Sequence, residues 1–230
     1  MIKRFASFLL LLPIVTPALS RAQDAQPTVS RTGRFFSHFD LGVSGVAFLT
    51  KDVNGTVTGA GAGTPYPVTQ SASSAAGVLA TIRVQKSAWK GGEFNYGYGR
   101  TTQSYTCCNA NATTGASAGP FASQAKVNEY TVGYLARPDR TILGFKPYVS
   151  GGVGVMAFGP TAFGGQSLQP QARMTYYYSV GGEQMLTQSF GVRFGLRQLF
   201  YKAPDFDQNY LRIKKTTFTV EPQIGIFYHF

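Results

Sequence analysis

Charge is scarce in this sequence. Lys, Arg, Asp and Glu make up 13% of its 230 residues, about half of the roughly 25% found in ordinary globular chains. Cysteine is nearly absent. Cys107 and Cys108 are the only two and they are adjacent, which excludes a disulfide framework. A strained vicinal disulfide within a loop, an intermolecular bond and a reactive thiol all stay open, and the sequence does not fix the redox state. Histidine is limited to His38 and His229. With no third ligand in register they do not make a metal site, and we expect no metal. The "GAGAGTP" stretch at 59–65 lacks the strand–turn–helix setting of a phosphate loop, so no cofactor is expected. The net charge is +11, yet no nucleic-acid motif accompanies it. Beyond residue 30 no apolar run reaches the ~20 residues of a membrane-spanning helix.

The first residues are a separate matter. "MIKRFASFLLLLPIVTPALSRA" begins with Lys3 and Arg4, continues with an apolar run from Phe5 to Val15, and ends in small residues. That is the pattern of a secretory signal peptide, expected over residues 1–22 with cleavage after Ala22. Cleavage removes Lys3, Arg4 and Arg21 and no acid, which lowers the charge from +11 to +8. Residues 23–35 read as a polar leader and residues 36–230 as one domain.

What the chain has in abundance is Gly (27), Tyr (13) and Phe (18), arranged with a period of two. Strand side chains alternate between faces. In the closing "TFTVEPQIGIFYHF", Phe218, Val220, Ile224, Ile226, Tyr228 and Phe230 share one face, while Thr217, Thr219, Glu221, Gln223 and His229 share the other. The same alternation recurs in "HFDLGVSGVAFL", "GVLATIRVQ", "EFNYGYGRT", "VNEYTVGYLA", "PYVSGGVGVMAF", "MTYYYSVGGE" and "FGVRFGLRQLFY". That makes about eight strands. Long polar connections (50–74, 102–124, 158–172, 201–215) alternate with short ones (86–91, 137–146, 185–189). Outer-membrane barrels sort their loops this way, with short periplasmic turns and longer outer loops. The expected fold is all-β: an eight-stranded antiparallel up-and-down transmembrane β-barrel, its apolar face toward lipid and both ends on the periplasmic side.

On this pattern Trp89, Phe145, Tyr148, Phe190, Tyr228 and Phe230 fall at an inner aromatic girdle, and Phe48, Phe121, Phe158, Tyr176 and Phe218 at an outer one. Asp40, Arg83, Glu93, Glu129, Glu183, Arg193, Arg197 and Glu221 fall on the polar face. An eight-strand barrel has an interior just wide enough for side chains, so these eight are expected to form a buried charge network. His38 and His229 share that face near the periplasmic rim. With no His among the outer loops, a His-based lipid hydrolase is not expected, and we expect no enzyme. The outer loops and rim carry Lys51, Arg100, Lys126, Arg173, Lys202, Arg212, Lys214 and Lys215 against Asp52, Asp205 and Asp207, a balance suited to lipid phosphates.

These stretches, chiefly "FKPYVSGGVGVMAF" (145–158), the hairpin "YYYSVGGEQMLTQSFGVRFGLRQLFY" (176–201) and the aromatic Phe230, resemble the small outer-membrane barrels related to the membrane domain of outer membrane protein A. The resemblance covers roughly residues 36–230. It implies an outer-membrane location after export and a structural or surface-exposed role. The alternative is a narrow porin-like ion channel, with a lipid A-modifying enzyme third. The implied partners are outer-membrane lipid, lipopolysaccharide included, and, during biogenesis, the barrel-assembly machinery, which would read the Phe218–Phe230 row. The family's peptidoglycan-binding domain has no counterpart here, so wall anchoring is not implied. Oligomeric state is left open.

Overall fold

The computed structural model describes residues 39–58, 65–87, 89–107 and 121–230. The signal segment, the leader, His38, Cys108 and residues 59–64 of the Gly-rich stretch lie outside the described residues, so the sequence expectations for them stand as expectations. Cys107 ends a strand. No described helix is long and apolar enough to cross a membrane.

Ten strands follow in chain order: β1 (Phe39–Thr50), β2 (Val53–Thr58), β3 (Pro65–Ala72), β4 (Ala75–Ser87), β5 (Lys90–Cys107), β6 (Phe121–Ala136), β7 (Lys146–Pro160), β8 (Gln171–Met185), β9 (Phe190–Lys202) and β10 (Thr216–His229). Eight of them close a ring, β1–β4–β5–β6–β7–β8–β9–β10, with β10 returning to β1. The remaining two correct the reading of 50–74 as a plain loop. β2 and β3 form a hairpin whose β3 pairs with the outer end of β5, from Val68↔Cys107 to Ala72↔Gln103. β5 is 18 residues long and overshoots the barrel. Its unpaired edge is thereby covered, which is the usual remedy for a projecting strand.

The register fixes the barrel's dimensions. Starting at Asp40, the paired residues run Arg83, Glu93, Gly133, Gly152, Tyr177, Leu199 and Thr219, and arrive back on β1 at Thr50. One circuit therefore advances ten residues. Ten rises of ~3.3 Å against eight spacings of ~4.8 Å tilt the strands by about 40°, within the range for closed barrels.

The outward face is apolar and uncovered. Val43, Val78, Val132, Tyr134, Tyr176, Leu196, Ile224 and Ile226 are all exposed, Tyr134 by 74% and Ile224 by 73%. No second layer of the described residues lies over them. A continuous apolar band of this kind is not tolerated by a protein surrounded by water, and it meets hydrocarbon in barrels of this class.

Four girdle assignments are corrected. Phe48, Tyr148 and Phe158 are buried in the interior rather than facing outward. Size complementarity is the reason. Phe48 fills the space left by Gly77 and Gly99, where an added Cβ would come within 2.4 and 2.5 Å of its ring. Tyr148 lies over Gly181 and Gly195 in the same way, at 2.6 and 2.5 Å from its hydroxyl. Phe158 packs against the inward Tyr201, ring centroids 5.7 Å apart. Alternating large and small residues across facing strands is how a narrow interior reaches native density. Phe121, the fourth, sits on the inward face of β6 and packs against the buried Tyr105, ring centroids 6.0 Å apart. Trp89, Phe190, Tyr176 and Phe230 are exposed on the outer surface, and Phe145, Phe218 and Tyr228 are partly so.

Candidate functional site

The lumen is filled by two different chemistries. At the short-turn end it holds a ladder of ion pairs. His229 Nδ1 lies 2.6 Å from Asp40 Oδ1, and Arg137 Nη2 donates to Asp40 Oδ2 at 2.7 Å. Arg137 also reaches Glu183 Oε2 at 3.1 Å. Glu183 in turn receives Arg193 Nε at 2.6 Å and Arg83 Nη1. Arg83 Nε continues to Glu93 at 2.9 Å. Glu93 accepts from Ser150, Tyr177 and Asn95. One step further, Arg197 bridges Glu129 at 2.5 Å and Glu221 at 3.0 Å and donates to Thr131. Three of these guanidiniums also stack on aromatic rings: Arg83 on Tyr148 at 4.3 Å, Arg193 on Phe227 at 4.8 Å and Arg197 on Tyr177 at 5.0 Å. Each stack shields one face of a buried cation while its edge is spent on carboxylates.

Alternation along the strands explains the placement. Arg83, Glu93, Glu129, Glu183, Arg193, Arg197 and Glu221 sit at inward positions of six strands, Arg193 and Arg197 both on β9, and Asp40 at the inward start of β1; all eight are buried. Arg137, from the short 137–146 connection, joins Asp40 to Glu183; the sequence reading did not count it among the lumen charges. The ring brings the end of β6 beside β1 and β8, a proximity with no signal along the chain.

At the long-loop end the filling is apolar. Val127, Met156, Phe158, Leu199 and Tyr201 from the staves meet Val53, Val57 and Val68 of the β2–β3 hairpin and Phe206, Leu211 and Ile213 of the last loop. Residues 203–215, with a short 3-10 turn at Asn209–Leu211, fold down over the mouth. Tyr105 Oη and Gln70 Nε2 both donate to the Pro204 carbonyl, at 2.7 and 3.1 Å. Gln171 Nε2 donates to Asp205 at 2.7 Å, while its carbonyl oxygen accepts the backbone N–H groups of Asp205 and Phe206. Arg173 and Arg212 close on Asp205 at 2.8 and 3.2 Å. Burial pushes the Asp205 carboxyl up. The Gln171 hydrogen bond, Arg173, the Asp207 N–H and Arg212 outweigh it and hold the carboxyl below its ordinary value. Phe206 and Asp207 have φ of 47° and 58°, a region unfavourable for bulky side chains that persists where surroundings over-determine it. A cavity at this mouth, lined by Thr50, Val53, Gln70, Tyr201 and Pro204 among others, measures about 10 Å³, at the lower limit for one water.

The sequence reading treated 201–215 as a polar loop and missed this plug. Its apolar residues, Phe206, Leu211 and Ile213, were the available signal, since a loop in water has no use for three such side chains.

The outer rim is basic. Arg173 and Arg212 are engaged by Asp205. Lys51, Arg100, Lys126, Lys202, Lys214 and Lys215 have no carboxylate within salt-bridge distance among the described residues. Arg100 and Lys126 are direct cross-strand partners on the outward face, and both are exposed. Like charges directly opposite destabilise a sheet unless an anion lies nearby. Lys51 extends over the Phe218 ring at 5.3 Å, beside the aromatic run Tyr178, Phe200 and Phe218. Among the described residues no group of three or more His, Cys, Asp or Glu is arranged to hold a metal ion.

No protein-family model matches the chain, and no curated protein does either. Solved structures do. The outer membrane protein OprG from Pseudomonas aeruginosa is 15% identical with a TM-score of 0.58, covering 84% of this chain and 95% of its own. The outer membrane protein AlkL, solved in lipid bilayers, is 16% identical with a TM-score of 0.48, covering 94% and 97%. The attachment invasion locus protein Ail of Yersinia pestis, solved with a heparin analogue, is 13% identical with a TM-score of 0.44, covering 84% and 98%. At these identities the likeness concerns architecture: the chain has the closed eight-stranded fold of the small outer-membrane β-barrels.

Proposed function

We propose that this protein sits in a bacterial outer membrane, after signal-dependent export, and works through its outer surface rather than as a conduit. The single observation that carries the reading is the filled lumen: charge pairs occupy one half, and an apolar plug anchored by Asp205 and Gln171 closes the other. With the interior occupied, the parts left to meet a partner are the long loops and the basic rim. Arg100, Lys126, Lys51 and Lys202 stand at the level where phosphates of anionic outer-leaflet lipid would lie, lipopolysaccharide among them. The outward row Phe218, Val220, Ile224, Ile226, Tyr228 and Phe230 on the closing strand would serve the assembly machinery during insertion.

A non-enzymatic role is supported by the histidines. The chain has two, and the described one, His229, is at the short-turn end, paired to Asp40. Planar-bilayer recording of the purified, lipid-reconstituted protein tests the proposal. The expected result is no unitary conductance; reproducible single-channel steps from the wild-type protein would replace the surface reading with the narrow-channel one.

A further inference from the structure

A groove interrupts the outward band. It measures about 510 Å³ and opens on the membrane-facing side, lined by Val84, Lys86, Lys90, Gly92, Tyr134 and Gly151 among others. That volume lies within the range of sites that hold small ligands. It has a definite origin. The row of paired outward residues crossing β4 to β8 reads Val84, Gly92, Tyr134, Gly151, Tyr178. Two gaps therefore flank a tyrosine that stands 74% exposed as the wall between them.

Backbone crowding does not demand glycine there. A Cβ on Gly92 would meet only the Gly133 carbonyl at 3.7 Å, and one on Gly151 only the Tyr177 carbonyl at 3.4 Å. Neighbouring Gly133 and Gly152 are different, since added Cβ atoms would collide at 2.3 and 2.1 Å. Glycine within a strand weakens it and commonly marks a close approach by something else. The charges give that something a polarity. Lys86 and Lys90 lie at the short-turn rim of the groove, Lys86 beside a register shift between Gln85 and Ser87, Lys90 with its ammonium 4.7 Å from the Trp89 ring. Neither has a carboxylate within salt-bridge distance among the described residues. Going toward the middle of the barrel, cations give way to the two glycines and then to Val132 and Val153. That is the sequence of a phospholipid from phosphate to acyl chain.

We propose that this groove holds one anionic phospholipid of the leaflet at the short-turn end, its two acyl chains over Gly92 and Gly151 on either side of Tyr134 and its phosphate between Lys86 and Lys90. The inference rests on the membrane placement proposed above, and the experiment separates the two. Wild type, Gly92→Leu, Lys86→Gln/Lys90→Gln and Gly45→Leu are reconstituted in phosphatidylcholine vesicles containing a minor fraction of phosphatidylglycerol. Gly45 is an exposed, outward glycine on β1 whose Cβ would be unobstructed, so it controls for the substitution itself. Lipid remaining after mild detergent treatment is counted by native mass spectrometry. Wild type and Gly45→Leu retain phosphatidylglycerol preferentially. Gly92→Leu loses the bound lipid, and the double lysine variant loses the preference by roughly fivefold per lysine. A wild type that retains both lipids in proportion to their supply, or variants that match it, overturns the site while leaving the membrane placement intact. A chain that washes off the vesicles in carbonate overturns both.

Discussion

The two halves of the lumen solve the same problem, filling a tube about 40° in strand tilt, with opposite materials. Around Glu183 and Glu93 the interior is held by Arg83, Arg137 and Arg193. Around Phe206 it is held by Val53, Val68, Tyr105, Leu199 and Ile213. The charged half is built by staves of the ring itself, save for Arg137. The apolar half depends on a hairpin and a loop that come from outside the ring. Buried ion pairs contribute little net stability against apolar replacement but are costly to break singly. Apolar plugs lose stability in proportion to what is removed and open locally. The expectation is that the mouth opens locally before the charged half does.

The largest effect is expected at Arg197. Arg197→Ala leaves Glu129 and Glu221 buried without a cation and should cost about 3–5 kcal/mol, read by urea unfolding in lipid. Replacing all three at once (Arg197→Met with Glu129→Gln and Glu221→Gln) should restore most of it; a triple variant as unstable as the single one would show that the pair itself stabilises.

Phe206→Ala comes next, at about 3 kcal/mol for loss of a buried ring. The loss should appear locally. Hydrogen exchange in 203–215 accelerates while the global unfolding midpoint hardly moves; equal loss at both places would mean that mouth and barrel unfold as one unit.

Asp205 sharpens the contrast through pH. Its carboxyl is held below the ordinary value, so its contribution is fully present above the unfolded pKa of about 3.9 and is lost as pH falls through the lower, folded one. Protease protection of the last loop should hold from neutral pH down to about 4 and fall below it. Asp205→Asn, losing about 1–2 kcal/mol of charge-assisted bonding, should loosen the loop across that range and remove the acid step.

Smallest are the rim cations. Arg100→Gln and Lys126→Gln should each lower attraction to anionic lipid by about 1 kcal/mol, measured by vesicle flotation and weakened by salt. Neither should destabilise the barrel, since each relieves a like-charge cross-strand contact.

The alternation of apolar and polar residues is a local property, readable wherever side chains must choose between two faces. It assigned Ile224 and Ile226 to the outside, and the eight lumen charges stand at the positions it marks as inward. Loop lengths likewise gave the even, sorted ring. Which inward charges meet depended on the ten-residue stagger, and the sequence carries no mark of that number. The partners of Arg137, the seats of Phe48 and Tyr148 over glycines one and two strands away, and the closure of the mouth by Phe206 are all contacts between distant segments. Period-two patterning determined the faces because each face meets a different solvent; only ring closure decided the neighbours, because contact across a barrel is set by shear and not by position along the chain.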